Sequence, residues 1–204
     1  WENNWKEYFK PMPVGKKLLI RPVWDNDYDA GDRAVLDIEP GLAFGSGGHD
    51  TTRLCLETLE NHITSDTELL DIGCGSGILG VAGLLLGAKS ATGVDIDELA
   101  VKTARENGEM NGFTEPKFTV FQGNLTDKVT GKYDVVVANI VADIIVMFTK
   151  DVGKFLKDDG LYITSGIIDT REQDVLDAFD KYGFEVVGRH ESSGWLCFET
   201  RLKK

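Results

Sequence analysis

The chain has 204 residues, a formal net charge of −12 from 22 Lys+Arg against 34 Asp+Glu, and 42% hydrophobic residues. That length accommodates one large domain with a full core, and no apolar run approaches the roughly 18 residues that span a bilayer. The acidic balance disfavours a broad phosphate-binding face and favours a small basic partner or a cationic substrate, while Cys55, Cys74 and Cys197 fit no metal spacing and read as reduced intracellular thiols.

Residues 1–15 are aromatic and irregular, with Trp1, Trp5, Tyr8 and Phe9 followed by Pro11 and Pro13, which forbid a long helix. Residues 17–24 and 33–39 are predicted as two strands of a hairpin joined by the acidic turn DNDYDAGD. A glycine-rich segment, GLAFGSGGHD (41–50), precedes an amphipathic helix over 51–63 carrying Leu54, Leu56, Leu59 and Ile63. From residue 66 the pattern alternates. Strands are predicted at 68–72, 90–96, 117–123, 133–140 and 161–166, and helices at 77–87, 98–112, 142–160 and 170–183. Segments 184–192 and 194–202 close the chain as a hairpin around Ser192–Gly194. Strand–helix alternation forces parallel pairing, because each helix carries the chain back across the sheet. The expected fold is therefore α/β: a seven-stranded, mostly parallel sheet with an antiparallel terminal strand and helices on both faces.

The 23 glycines exceed the usual share of about 7%, and they cluster at 41–48 and 73–83. The second cluster is Asp71-Ile72-Gly73-Cys74-Gly75-Ser76-Gly77, between a strand and a helix. Glycines there let the backbone approach a ligand, and the helix that follows offers unpaired N–H groups. Asp95 ends the next strand, where a carboxylate can accept bonds from both ribose hydroxyls. Two ligands compete. Gly75-x-Gly77-x-x-Gly80 matches the dinucleotide spacing, but the glycines begin directly after the strand, and Asp71 beside them would repel a pyrophosphate. A carboxylate there suits the ammonium or sulfonium of S-adenosylmethionine instead. Ile96 is placed to lie against the adenine face and Asp97 to cap the following helix. Asn124 and Leu125 are either an adenine contact or a turn.

Asn139 ends the apolar strand YDVVVAN. An amide there can accept a hydrogen bond from a substrate amine and aim its lone pair at a methyl group; the alternative is a helix N-cap. Thr52, in the first turn of its helix, can bond the cofactor's carboxylate. His49 is a cap or surface residue more readily than a base, and His62 and His190 have no constellation around them. No metal-ligand spacing is present.

Trp5-Lys6-x-Tyr8-Phe9-x-Pro11, the block Glu39 to Thr52 (EPGLAFGSGGHDTT), Asp71 to Leu79, Asp95-Ile96-Asp97, Ala138-Asn139-Ile140 and Ser165-Gly166-Ile167 follow one another in an order that resembles the ribosomal protein L11 methyltransferase (PrmA) family along essentially the whole chain. Ser46, Gly48, Asp50, Val141 and Gly194 depart from the family's usual residues. The resemblance implies a Rossmann-like class I methyltransferase fold. It implies a cytoplasmic enzyme that moves methyl groups from S-adenosylmethionine to lysine side-chain and N-terminal amines of ribosomal protein L11. Another protein or a small amine as substrate, or a non-catalytic adenosylmethionine-binding module, are the alternatives. Its cofactor positions fall on Thr52, Gly73, Asp95 and Asn139, with Phe44 closing over the ligand, and Asp71, Gly75 and Ile96 completing the set. Asn139 is the expected catalytic residue. The resemblance further implies residues 1–40 as linker remnant and packed hairpin, 41–204 as the catalytic domain, and a substrate-recognition domain upstream of Trp1. A monomer with no nucleic-acid or membrane partner is expected.

Overall fold

The computed structural model describes residues 10–24, 29–38 and 48–204. Its centre is a seven-stranded sheet of β4 (Glu68–Ile72), β5 (Ser90–Asp95), β6 (Phe118–Gln122), β7 (Tyr133–Asn139), β8 (Leu156–Ile168), β9 (Phe184–Ser192) and β10 (Trp195–Leu202), in the order β6-β5-β4-β7-β8-β10-β9. The pairings among β4 to β8 are parallel, and β10 runs antiparallel to both β8 and β9. The closing hairpin forms as predicted. Ser193 and Gly194 both take positive φ, 50° and 82°, which matches the twist a two-residue hairpin turn requires.

Helices cover both faces. On one side α1 (Gly48–Leu59), α2 (Ile78–Leu85) and α3 (Glu98–Met110) build a core with Leu69, Val120, Val137 and Ile163. On the other, α4 (Ala142–Val152) and α5 (Glu172–Lys181) pack Ile145, Phe148, Val175 and Phe179 against Leu70, Val136 and Tyr162. Successive strand residues face opposite sides, so Leu69 and Asp71 share the α1–α2–α3 face while Leu70 and Ile72 share the other. Asp97 accepts from the Leu99 amide at 2.9 Å, the predicted N-cap of α3. The predicted helix over 142–160 stops at Val152: residues 153–155 form a single 3-10 turn and Leu156 already starts β8.

A second, three-stranded sheet consists of β1 (Met12–Val14), β2 (Leu18–Pro22) and β3 (Ala34–Ile38). The hairpin expected between 17–24 and 33–39 is not there. β2 and β3 pair in parallel, and the hairpin partner of β2 is β1. The short 15–17 connection reverses the chain tightly, whereas the segment from 23 to 33 is long enough to return it to the start of a parallel neighbour. Glu60 at the end of α1 fastens the tight turn, accepting from the Lys16 and Lys17 amides at 2.9 and 3.2 Å. Asn111 at the end of α3 exchanges two bonds with the Asp37 backbone, at 2.9 and 2.7 Å. Val14, Leu18, Ile20, Leu36 and Ile38 belong to the same apolar core as α1 and α2. No helix among the described residues is long and apolar enough to cross a membrane. The three cysteines are free and buried.

Candidate active site at the carboxyl ends of β4, β5 and β7

In an open α/β sheet, ligands sit beyond the carboxyl ends of the strands where the order reverses. Here that point lies between β4 and β7, since β4 runs on to β5 and β6 in one direction while β7 and β8 lie in the other. The loop after β4 turns on three glycines of positive φ: Gly73 (70°), Gly75 (52°) and Gly77 (80°). The Gly73 and Cys74 amides both donate to the Val94 carbonyl, at 2.8 and 2.9 Å, which folds the loop over the end of β5. A Cβ on Gly73 would sit 2.7 Å from Ile140, and one on Gly77 would sit 2.9 Å from Ala104, whereas one on Gly75 would meet no described residue within 4 Å. The loop is thus packed at its two ends and open in the middle. Gly80, last in the dinucleotide-type spacing, serves packing: a Cβ there would come 2.8 Å from Phe118.

Asp95 holds the open middle. Its Oδ2 accepts from the Gly75 amide at 2.9 Å and its Oδ1 from the Asp97 amide at 3.0 Å. Beside it lies a cavity of about 320 Å³ lined by residues that include Gly73, Asp95, Ile96, Asn124, Ile140 and Met147. Val94, Gly123, Leu125 and Ile144 complete the wall. Ile96 is 65% exposed and Met147 53%, so apolar surface stands open to water at this cavity.

The next strand end carries Asn139, whose Nδ2 donates to Thr52 Oγ1 at 3.3 Å. This bond joins β7 to the first turn of α1 and turns the amide so that its carbonyl oxygen accepts no hydrogen bond among the described residues. The alternative of a helix N-cap fails, because the N-cap position of α4 is Val141, two residues later. Ile140 lines the cavity and touches the Gly73 position, so the amide and the loop are neighbours across one side chain.

Asp71 is not in the cavity wall. It is 1% exposed, behind the loop, and neither carboxylate oxygen has a hydrogen-bond partner among the described residues. Burial, reinforced by the Asp95 charge, pushes its carboxyl up to about 7; the Gly80 amide opposes this without reaching hydrogen-bonding geometry. An ionised acid placed there is costly unless a positive charge stands nearby. The structure therefore brings Gly73, Asp95 and Ile96 to one cavity, ties Gly75 to it through Asp95, pairs Asn139 with Thr52 alongside, and sets Asp71 beneath. Phe44 lies outside the described residues, as does the side chain of His49.

Sequence reasoning missed Ile140, Ile144 and Met147, whose apolar spacing suits an ordinary helix face; only Met147's exposure, invisible in sequence, marks the wall. It also missed a cluster away from this site. His62 and His190 do have a constellation: both bond Glu199, at 2.5 and 2.6 Å. Partial burial pushes the Glu199 carboxyl up, but the hydrogen bonds from His190 and His62 outweigh burial and hold it below the usual carboxylate value.

Residues 1–203 match the family described as ribosomal protein L11 methyltransferase (PrmA). The chain belongs to that family. All 204 residues bar one align at 45% identity with the ribosomal protein L11 methyltransferase of Clostridium perfringens, covering 64% of that protein, and at 42% with that of Thermoanaerobacter pseudethanolicus, covering 65%. The chain thus spans just under two thirds of the length of these curated relatives. A crystal structure of ribosomal protein L11 methylase from Lactobacillus delbrueckii subsp. bulgaricus superposes with a TM-score of 0.89 at 28% identity, covering 97% of this chain and 100% of that one. A putative methyltransferase, SMU.776, complexed with SAH, shares the fold with a TM-score of 0.63 at 12% identity, covering 74% of this chain and 49% of that one. The family match runs through every motif described above, and the fold is the Rossmann-like one of class I methyltransferases.

Proposed function

We propose that the protein is an S-adenosylmethionine-dependent N-methyltransferase acting on lysine side-chain and N-terminal amines of ribosomal protein L11, the protein for which its relatives are named. The observation that carries the reading is the juxtaposition of a ribose-type acid, Asp95 at the end of β5, bonded to the open glycine loop after β4, with an amide, Asn139 at the end of the adjoining β7, whose carbonyl accepts no hydrogen bond among the described residues. The residues fit the cofactor. Among the described residues nothing fills the position beside Gly75 and the Asp71 carboxylate has neither a hydrogen-bond partner nor a compensating positive charge, while the cavity has the size and apolar lining of a nucleoside site. A pyrophosphate would worsen Asp71's position; a sulfonium or ammonium improves it.

When bound, adenosylmethionine supplies an electrophilic methyl group on sulfur. Asp95 has acceptor capacity left after its two amide bonds, since a carboxylate offers about four lone-pair sites, and it takes the ribose hydroxyls. Ile96 and Met147 cover the adenine. Thr52 fixes the Asn139 amide, and Asn139 Oδ1 accepts from the incoming amine and directs its lone pair along the displacement line, so that the gain comes chiefly from positioning. The amine must be neutral to attack. Deprotonating a free lysine at pH 7 costs about 4.6 kcal/mol, which partial desolvation of the amine at the apolar rim offsets, and water takes the proton.

Titration calorimetry with adenosylmethionine and with NAD, followed by mass spectrometry of ribosomal protein L11 incubated with the protein and adenosylmethionine, tests this. Mass gains of one or more methyl groups on lysine or the N-terminus are expected. Binding without transfer would leave a non-catalytic module, transfer only to other amines would replace the substrate, and NAD saturation would overturn the cofactor.

A further inference from the structure

Ser165-Gly166-Ile167, among the described residues, has had no part in the site so far. It lies in β8 where the pairing is irregular. Thr164 faces Phe198 and Ile167 faces Leu196, so Ser165 and Gly166 together oppose Cys197 alone. Two residues against one is a β-bulge, a device that re-aims neighbouring groups beside active sites. The bulge sits against Asn139. Asn139 and Ser165 are the last pair of the β7–β8 ladder, and the Ile140 amide donates to the Ser165 carbonyl at 3.1 Å. The buried Ser165 hydroxyl donates to the Thr51 carbonyl at 2.9 Å, anchoring the turn of α1 whose next residue, Thr52, holds the Asn139 amide.

Gly166 completes the arrangement. It has φ of +83°, and a Cβ there would stand 2.9 Å from Asn139 Oδ1 and 2.8 Å from the Ile140 carbonyl oxygen. Contacts that short force a neighbour to move, and the amide oxygen is the group that can rotate. We propose that Gly166 is a positioning residue for methyl transfer: the bulge leaves its side-chain space free so that the Asn139 carbonyl keeps its place against Gly166 while Thr52 holds the amide nitrogen. This rests on the reading of Asn139 as the group that orients the amine.

Gly166→Ala introduces a strained φ together with contacts to Asn139 Oδ1 and the Ile140 carbonyl oxygen; Gly183→Ala introduces the strain alone, since Gly183 has φ of +82° and no described residue within reach of an added Cβ. Relative to Gly183→Ala, Gly166→Ala is expected to lower kcat for methylation of ribosomal protein L11 at least about tenfold, with the adenosylmethionine Kd within about threefold, and to add no further loss in kcat on top of Asn139→Ala. In denaturant unfolding, which needs no activity, Gly166→Ala is expected to be less destabilising in the Asn139→Ala background than in the wild type. Equal unfolding costs in the two backgrounds would overturn the contact. Unchanged kcat, or a parallel loss of cofactor affinity, would overturn the positioning role. A wild-type protein that transfers no methyl group would instead sink the parent reading and with it the catalytic role, while the unfolding cycle would still decide whether Gly166 holds the amide. A Gly166→Ala protein that does not fold, beside a folded Gly183→Ala, is answered by the double variant with Asn139→Ala: recovery of folding supports the contact and continued failure overturns it.

Discussion

Asp95 Oδ2 accepts a hydrogen bond from the Gly75 amide at 2.9 Å, so one carboxylate both shapes the open middle of the glycine loop and faces the cavity. Removing it should damage the cofactor site twice. Charge-assisted bonds to two ribose hydroxyls are worth about 1.5–3 kcal/mol each, and the loop amide loses its tether. Asp95→Ala is expected to raise the Kd for adenosylmethionine at least about 100-fold by calorimetry. A change below about threefold would show that the cavity beside Asp95 is not the nucleoside site.

Asp97, two residues on, separates folding from binding. It caps α3 through the Leu99 amide and is exposed. Asp97→Ala should cost about 1 kcal/mol of stability, the usual loss for an N-cap, read as a lower denaturation midpoint. Cofactor affinity should stay within about threefold of wild type. A large affinity loss would mean that the ribose role is shared between the two acids.

The strands, helices and capping acid were legible because they rest on local chemistry: alternation of apolar runs, glycines at turns, a carboxylate before a helix. What local chemistry cannot carry is partner choice. β2 and β3 have the apolar pattern of any strand pair, and nothing in them distinguishes a hairpin from the parallel pairing that forms. Asp71 illustrates the same limit within the site. Its place at the loop was readable, but its burial behind the loop, with both oxygens unpartnered, depends on α1 and α2 closing over it. The Glu199 cluster joins the end of α1 to the terminal hairpin, and the Gly166 bulge depends on a register between β8 and β10; neither leaves a pattern in sequence spacing.

Asp71 makes stability and cofactor affinity depend on pH in a defined direction. Its carboxyl is raised from 3.8 to about 7 by burial and by the Asp95 charge, so between those values the folded protein binds a proton that the unfolded chain has lost. Its contribution to stability is therefore complete below about pH 4 and falls as the pH rises towards 7. At 1.36 kcal/mol per pKa unit the fall is about 4 kcal/mol. Asp71→Asn removes it, so unliganded wild type and variant should diverge progressively between pH 4 and 8 in denaturant unfolding, with the variant the more stable at pH 8. A cationic cofactor favours the ionised carboxylate, so binding at pH 6 should release protons and tighten as the pH rises through 7 in wild type but not in Asp71→Asn. Parallel stability curves for the two proteins would show that Asp71 does not titrate in this range.

The Asn139–Thr52 bond predicts a split between rate and affinity. Neither side chain lines the cavity beside Asp95, and on the proposed reading Asn139 Oδ1 is the acceptor for the amine. Asn139→Ala should therefore lower kcat by about 100-fold, the scale of losing a well-oriented contact to a reacting group, with the adenosylmethionine Kd within about threefold. Thr52→Val keeps the shape of the threonine but removes the acceptor for Asn139 Nδ2. It should lower kcat less, by roughly tenfold, and combining it with Asn139→Ala should give little more than Asn139→Ala alone, because residues that act through one contact are not additive. Independent, multiplicative losses would place Thr52 on the cofactor rather than behind Asn139. Equal losses of cofactor affinity from Asn139→Ala and Asp95→Ala would move Asn139 out of the catalytic role altogether.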